Sequence, residues 1–407
     1  MTFTAVAVFF LAGTPILQGQ PATSRAASVS ESELPYNQQP ISYSERTPDD
    51  AISRLQNQLD EGEIKIKSTG KQGFLLDLLR ALDIPISSQL LVFSKSSANA
   101  RLITPQSPRA VYFNDDVYVG WVPGSAMIEI SAVDPIAGGM FYHLKQSPDQ
   151  NDVAAPLRGN SIQRDESCLL CHISRNSLRV PGHLVRSFTT DSEGQMRTGW
   201  SRVTHDTPYY NRWAGWYVTG EVGRLKHLGN VYGDPPEQKI LIPGDLKRYL
   251  AATSDVVPHL VLEHQAQGHN LITRLNYEAR LSIPITAADP LLRYLLFVDE
   301  APLTTPVRGI LDYQKWFEAR GPRDNQGRSL RQFDLQTRMF KYRMSFLIYS
   351  AAFDALPDPI RLEFFRDLKS WLTTTDAQHP ATRLPIDERQ AILQILRETK
   401  PGLPKDW

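Results

Sequence analysis

Cysteine is nearly absent from this chain: there are two in 407 residues. That excludes a disulfide-stapled scaffold and an iron–sulfur cluster held by four thiolates. Net charge is absent as well, since 44 basic side chains balance 44 acidic ones. A broad electrostatic grip on nucleic acid or an anionic membrane surface is therefore not expected. No internal repeat is visible, and no apolar run reaches the ~20 residues that span a bilayer. What the chain does have is apolar material, 41% of its residues, enough for a sizeable core.

Residues 5–12 read Ala-Val-Ala-Val-Phe-Phe-Leu-Ala, a run of the length of a secretory h-region, with small residues following up to Ala26 and Ala27. Residues 1–27 are expected to be a signal segment, which places the protein in the bacterial periplasm or outside the cell. The n-region departs from the pattern in having no Lys or Arg. No cysteine lies between 15 and 30, so a lipoprotein anchor is not expected. Residues 28–48, rich in Ser, Glu, Gln and Pro, predict a disordered linker.

Two helices are expected at 49–62 and 73–82. Short β-type runs follow at 90–93, 111–113, 117–122, 127–130 and 140–144. Asn114-Asp115-Asp116 and Gly138-Gly139 mark breaks between them. Residues 49–150 thus form a mixed α/β region. Residues 151–242 are loop-rich, and 243–407 carry helical patterns at 244–252, 256–282, 288–299, 310–319, 333–355, 358–374 and 386–399. The fold class expected is α+β, with antiparallel strands.

Both cysteines fall in the loop-rich region, in Cys168-Leu169-Leu170-Cys171-His172. This is the C-x-x-C-H spacing of covalent c-type haem attachment. Each thiol adds to one haem vinyl group, and the next residue, His172, is placed to bind the iron axially. Chance would produce the pattern on the order of once in 10⁴ sequences with two cysteines. A half zinc site and a redox dithiol are the competing readings. The dithiol expects an early βαβ unit that is not there, and an exported chain favours haem c over zinc.

The surrounding residues fit a haem crevice. Val180-Pro181-Gly182-His183-Leu184 is a Pro-containing segment of the kind that offers a carbonyl to Nδ1 of a proximal histidine. Arg164, Arg175, Arg179 and Arg186 are candidates for the propionates, or else a solvated basic face. Seven aromatics lie within 197–232, among them Trp213, Trp216 and Tyr217. They suit a porphyrin wall or an ordinary aromatic core.

The distal ligand is open. Met339 and Met344 sit among apolar neighbours and read as core, while Met196 is close to the motif for a Met loop. His205, His227 and His264 are the histidine candidates, one at most. Along a helix from 256 to 282, His264 falls on a mainly apolar stripe, and Gly268 one turn on would leave room for something flat. A lone histidine there is more often a hydrogen-bonded core residue than a ligand.

Several segments together resemble a family of exported bacterial proteins with a single C-x-x-C-H and no settled function. They are Ala110 to Trp121, Trp216 to Gly220, Leu262 to Gln265 with His269-Asn270, and Arg328 to Arg331 with Phe353 to Pro357. The likeness extends over most of 50–407 and implies one covalent haem c in an exported protein. In that family Met often follows the histidine matching His227. Here the residue is Leu228, which favours His227 or His205 as the distal group.

Three functions compete. One is a monohaem cytochrome exchanging electrons with a redox protein or a small-molecule donor or acceptor. Another is a haem enzyme or ligand-binding protein with an open distal site. The third is a binding module held together by a structural haem. A carrier needs only ~100 residues, so the remaining chain calls for a role of its own.

Overall fold

The computed structural model describes residues 34–146, 157–233, 239–240, 246–310 and 312–407. The expected signal segment and residues 28–33 lie outside them. The architecture is α+β, with antiparallel sheets in the N-terminal half and helices toward the C-terminus.

Helix α1 (Ala51–Asp60) starts where the Asp50 carboxylate accepts the N–H groups of Ile52 and Ser53. The short α2 (Leu75–Ala81) follows. A six-stranded antiparallel meander comes next: β1 (Leu90–Val92), β2 (Arg109–Phe113), β3 (Val117–Trp121), β4 (Met127–Asp134), β5 (Gly138–Lys145) and β6 (Ile162–Arg164). Alternation along these strands separates two faces. Tyr112, Val119, Ile130 and Tyr142 point into a core shared with α1 and α2. The other face carries Glu129, Ser131, Phe141 and His143 at its middle. Toward its margins Val92, Phe113, Tyr118 and Val133 join the core of the helical half.

The C-x-x-C-H motif forms the short α3 (Leu169–His172), entered through a 3₁₀ turn over Glu166–Cys168. A hairpin of β7 (Arg186–Thr190) and β8 (Met196–Arg202) follows. The long α4 (Val256–Arg280) then runs through the interior, buried on every side from Val256 to Glu278. Asp255 caps it, and Pro258 is tolerated because it lies in the first turn. Around it stand α5 (Ala288–Leu295), α6 (Tyr313–Ala319), α7 (Ala351–Asp354), α8 (Asp358–Thr373) and α9 (Ile386–Thr399).

The turn between β2 and β3 joins the two halves. Gln265 donates to the Asn114 carbonyl at 2.8 Å, His269 Nε2 donates to the Asp115 carbonyl at 2.9 Å, and Arg331 pairs with the Asp115 carboxylate. Three of the segments that carry the family resemblance therefore meet at one seam.

Several expectations need correction. Residues 34–48 are not a disordered linker: Leu34, Ile41 and Tyr43 are buried, and the Tyr43 hydroxyl donates to the Gly139 carbonyl at 2.9 Å. The polar composition hid three apolar anchors. Over the described part of 244–252 there is only a 3₁₀ turn at Leu246–Arg248. The expected helix at 333–355 is irregular up to a 3₁₀ turn at Phe346–Tyr349 and the short α7. There Asp334 accepts the N–H groups of Gln336, Thr337 and Arg338, a local turn that outcompetes the helix. Met339 and Met344 are core residues, as expected.

Candidate functional site

Cys168 caps α3 with helical backbone angles and Cys171 lies three residues on, so the two residues share one side of a single turn. Both are free. Cys168 packs half-buried against the N-terminal core, where burial pushes its thiol up to about 11. Cys171 is exposed, and Leu170 between them is 87% exposed.

His172 is held from one end. Its Nδ1 lies 2.8 Å from the Gly182 carbonyl. A carbonyl can only accept, so Nδ1 carries the proton and the lone pair is on Nε2. Burial, with smaller contributions from Arg186 and Arg109, pushes the imidazole down to about 4, against the opposing effect of the Gly182 bond. It is therefore neutral at physiological pH. Among the described residues none hydrogen-bonds to Nε2. Its ring packs on Phe141 of β5 with centroids 4.5 Å apart. The His172 carbonyl accepts from Gly182 N–H at 3.0 Å and from the Ser177 hydroxyl at 2.9 Å, which closes the 172–182 loop on itself.

Charged side chains line the sheet face beside this turn. Arg109 Nη1 and Glu129 Oε2 are 2.9 Å apart, and His143 faces Asp165 at 3.5 Å. The sequence pattern gave none of these residues a role. Only the register places Glu129 and His143 opposite each other.

Two free thiols and a neutral imidazole whose Nε2 has no described hydrogen-bond partner are a set of groups that would suit covalent haem c. The two thiols would hold the vinyl groups, and His172 Nε2 would take the iron. A zinc site would need further ligands, and among the described residues no three His, Cys, Asp or Glu side chains converge to hold a metal ion.

The expected distal histidines do not join this site. His205 and His264 bind each other instead: their Nδ1 atoms are 2.7 Å apart, one donating and one accepting, and His264 Nε2 bonds the Ser345 hydroxyl at 2.7 Å. Tyr294 and Phe297 stack on both rings. Burial pushes His264 down to about 3 and His205 well below its usual range. The room expected beside Gly268 is filled by Leu347, whose Cδ1 lies 2.3 Å from where a Cβ would stand. His227 is half-buried, with its Nδ1 accepting from the Gly229 N–H at 3.0 Å and its ring against Trp213. The apolar stripe of α4 could not separate these cases, because the helix is buried all round.

The expected haem wall is largely interior as well. Trp213 Nε1 donates to Glu263, Trp216 Nε1 to the Arg186 carbonyl at 2.8 Å, and the Tyr217 hydroxyl to the Pro105 carbonyl at 2.9 Å. Both tryptophans pack on His259 of α4. Of the candidate propionate partners, Arg164 is committed to the Ser44 carbonyl and Glu166. Arg179 has a left-handed backbone (φ 58°), and its Nε is buried without a hydrogen bond. Arg186 lies near the end of the motif: Cys171 acts on its guanidinium, and the guanidinium helps hold the His172 imidazole down.

Sequence reasoning missed Phe141 and the Arg109–Glu129 pair, and gave Asn270 no role. No protein-family model, curated protein or solved structure matches the chain. No helix among the described residues is long and apolar enough to cross a membrane.

Proposed function

We propose that this protein is an exported c-type haem protein with one covalent haem, attached at Cys168 and Cys171 and ligated by His172, that passes electrons to or from a redox protein or a small-molecule partner. One observation carries the reading: the 2.8 Å contact from His172 Nδ1 to the Gly182 carbonyl, which leaves a neutral Nε2 lone pair beside two free thiols on one helical turn. The haem iron would supply one-electron exchange. The chain's own residues would fix the ring orientation through Gly182 and Phe141, and charge the nearby sheet face through Arg109 and Glu129. Export and a periplasmic or secreted location rest on residues 5–12 and on where covalent haem attachment takes place.

A second reading is a haem enzyme or ligand-binding protein with an open distal position. It is favoured by the commitments of His205, His264 and His227 to other partners. Expression in a host with cytochrome c maturation, followed by absorption spectra of both oxidation states, tests both. A low-spin six-coordinate spectrum supports the carrier. A high-spin spectrum that shifts with cyanide or CO supports the open site. A denaturing gel without covalent haem overturns both.

A further inference from the structure

We propose that Asn270, in the middle of α4, is a positioning residue for the haem iron, acting through the backbone segment that grips His172. The inference rests on the c-type reading above. Asn270 is buried and holds His183 at two points: His183 N–H donates to Oδ1 at 2.9 Å, and Nδ2 donates to the His183 carbonyl at 2.8 Å. The residue before His183 is Gly182, whose carbonyl sets the bond on His172 Nδ1.

The fit around Gly182 is close. A Cβ there would stand 2.3 Å from Asn270 Oδ1, so only glycine lets the amide approach. The same segment is pinned from the sheet, where Gly139 N–H donates to the Pro181 carbonyl at 2.8 Å. The His183 ring is fixed in turn by the Ser131 hydroxyl at 2.6 Å and by Tyr118, with ring centroids 4.4 Å apart. Sheet and helix thus close on residues 181–183 from two directions and aim one carbonyl at Nδ1.

A hydrogen bond from Nδ1–H to a carbonyl raises the donor strength of a metal-bound imidazole. A stronger donor favours the oxidised iron. Loosening the clamp should therefore weaken the bond and raise the midpoint potential. It would tie the helical half to the iron through the backbone of residues 181–183.

The test uses the haem-loaded full chain. Asn270→Ala is expected to keep covalent haem, raise the midpoint potential, and speed solvent exchange of the His172 Nδ1 proton seen by NMR. Asn276→Ala is the control, since Asn276 is buried on the same helix but donates to the Ile136 carbonyl. It should lower stability and leave potential and exchange unchanged. Gly182→Ala should shift both readouts as Asn270→Ala does. Combined with Asn270→Ala it should add little, because the obstructing Oδ1 is gone. The proposal fails if a loaded Asn270→Ala or Gly182→Ala protein shows neither shift, or if Asn276→Ala shifts both equally. If Asn270→Ala does not fold, Gly182→Ala alone decides. A wild-type protein without covalent haem would overturn the c-type reading itself, a different failure.

Discussion

Two histidine centres in this molecule are opposite in structure. His172 stands beside free thiols on a partly exposed turn, bonded at Nδ1 and without a described hydrogen-bond partner at Nε2. His264 lies in the helical core with both nitrogens engaged, by His205 and by Ser345. Beside it Arg212 and Glu263 form a fully buried ion pair at 2.8 Å, and Arg212 also donates to the His205 carbonyl at 2.8 Å. A ligand needs an available lone pair, whereas a structural histidine needs its polar atoms satisfied. The contrast leaves an available lone pair at the first centre, where the proposed iron would bind, and satisfied polar atoms at the second.

The largest effect should come from the thiols. Replacing Cys168 and Cys171 together by Ala abolishes covalent haem, read by haem staining of a denaturing gel. Staining that survives would erase the contrast. Next comes Arg212→Ala, which leaves Glu263 buried without its partner and costs about 3–5 kcal/mol in urea unfolding. Haem attachment should persist in whatever folds, and attachment lost without loss of stability would join the two centres functionally.

His264→Ala should cost about 2–3 kcal/mol by emptying ring volume and stranding His205 and Ser345. The haem spectrum should not change. A low-to-high-spin conversion would instead make His264 the distal ligand.

The buried core also dictates a pH dependence. Burial pushes His259 and His264 down to about 3, against roughly 6.5 in an unfolded chain. The folded form then binds fewer protons between those values, so stability falls as pH drops from 6.5 toward 3. Each histidine contributes on the order of 1 kcal/mol per pH unit. Glu263 acts oppositely. Burial, outweighing the pull of Arg212, raises it to about 7 from 4.5, so its contribution fades as pH rises through that window. Urea midpoints between pH 4 and 6.5 should rise with pH, and His264→Gln should flatten the slope. An undiminished slope would show that His264 is not the buried neutral group described.

The smallest effect is expected at Leu170, which is 87% exposed. Leu170→Ser should move stability by less than about 0.5 kcal/mol and leave haem attachment intact. A loss of attachment would show that the intervening residue takes part.

Strands β1 to β5, most helices and the C-x-x-C-H motif were readable because each is written in a local pattern: alternation, helical spacing, or five consecutive residues; β6, β7 and β8 fall in the stretch expected to be loop-rich and were not read. The helix expected at 333–355 was misread: Phe333 and Phe340 stand seven residues apart, a helical spacing, while Asp334 turns the backbone. The pairing of His205 with His264 was illegible for another reason. His205 and His264 are 59 residues apart, and nothing in either neighbourhood announces a shared hydrogen bond.

By itself the sequence determined the C-x-x-C-H turn and with it the expected cofactor, since attachment chemistry depends on spacing along the chain. It also determined the division into a strand-rich first half and a helical second half. Only the tertiary structure decided which histidines keep a free nitrogen, which carbonyl meets His172, and that Asn270 of a distant helix holds that carbonyl in place. Lone pairs are occupied or left open by whatever side chain folding brings within about 3 Å, and that distance is not written in the order of residues.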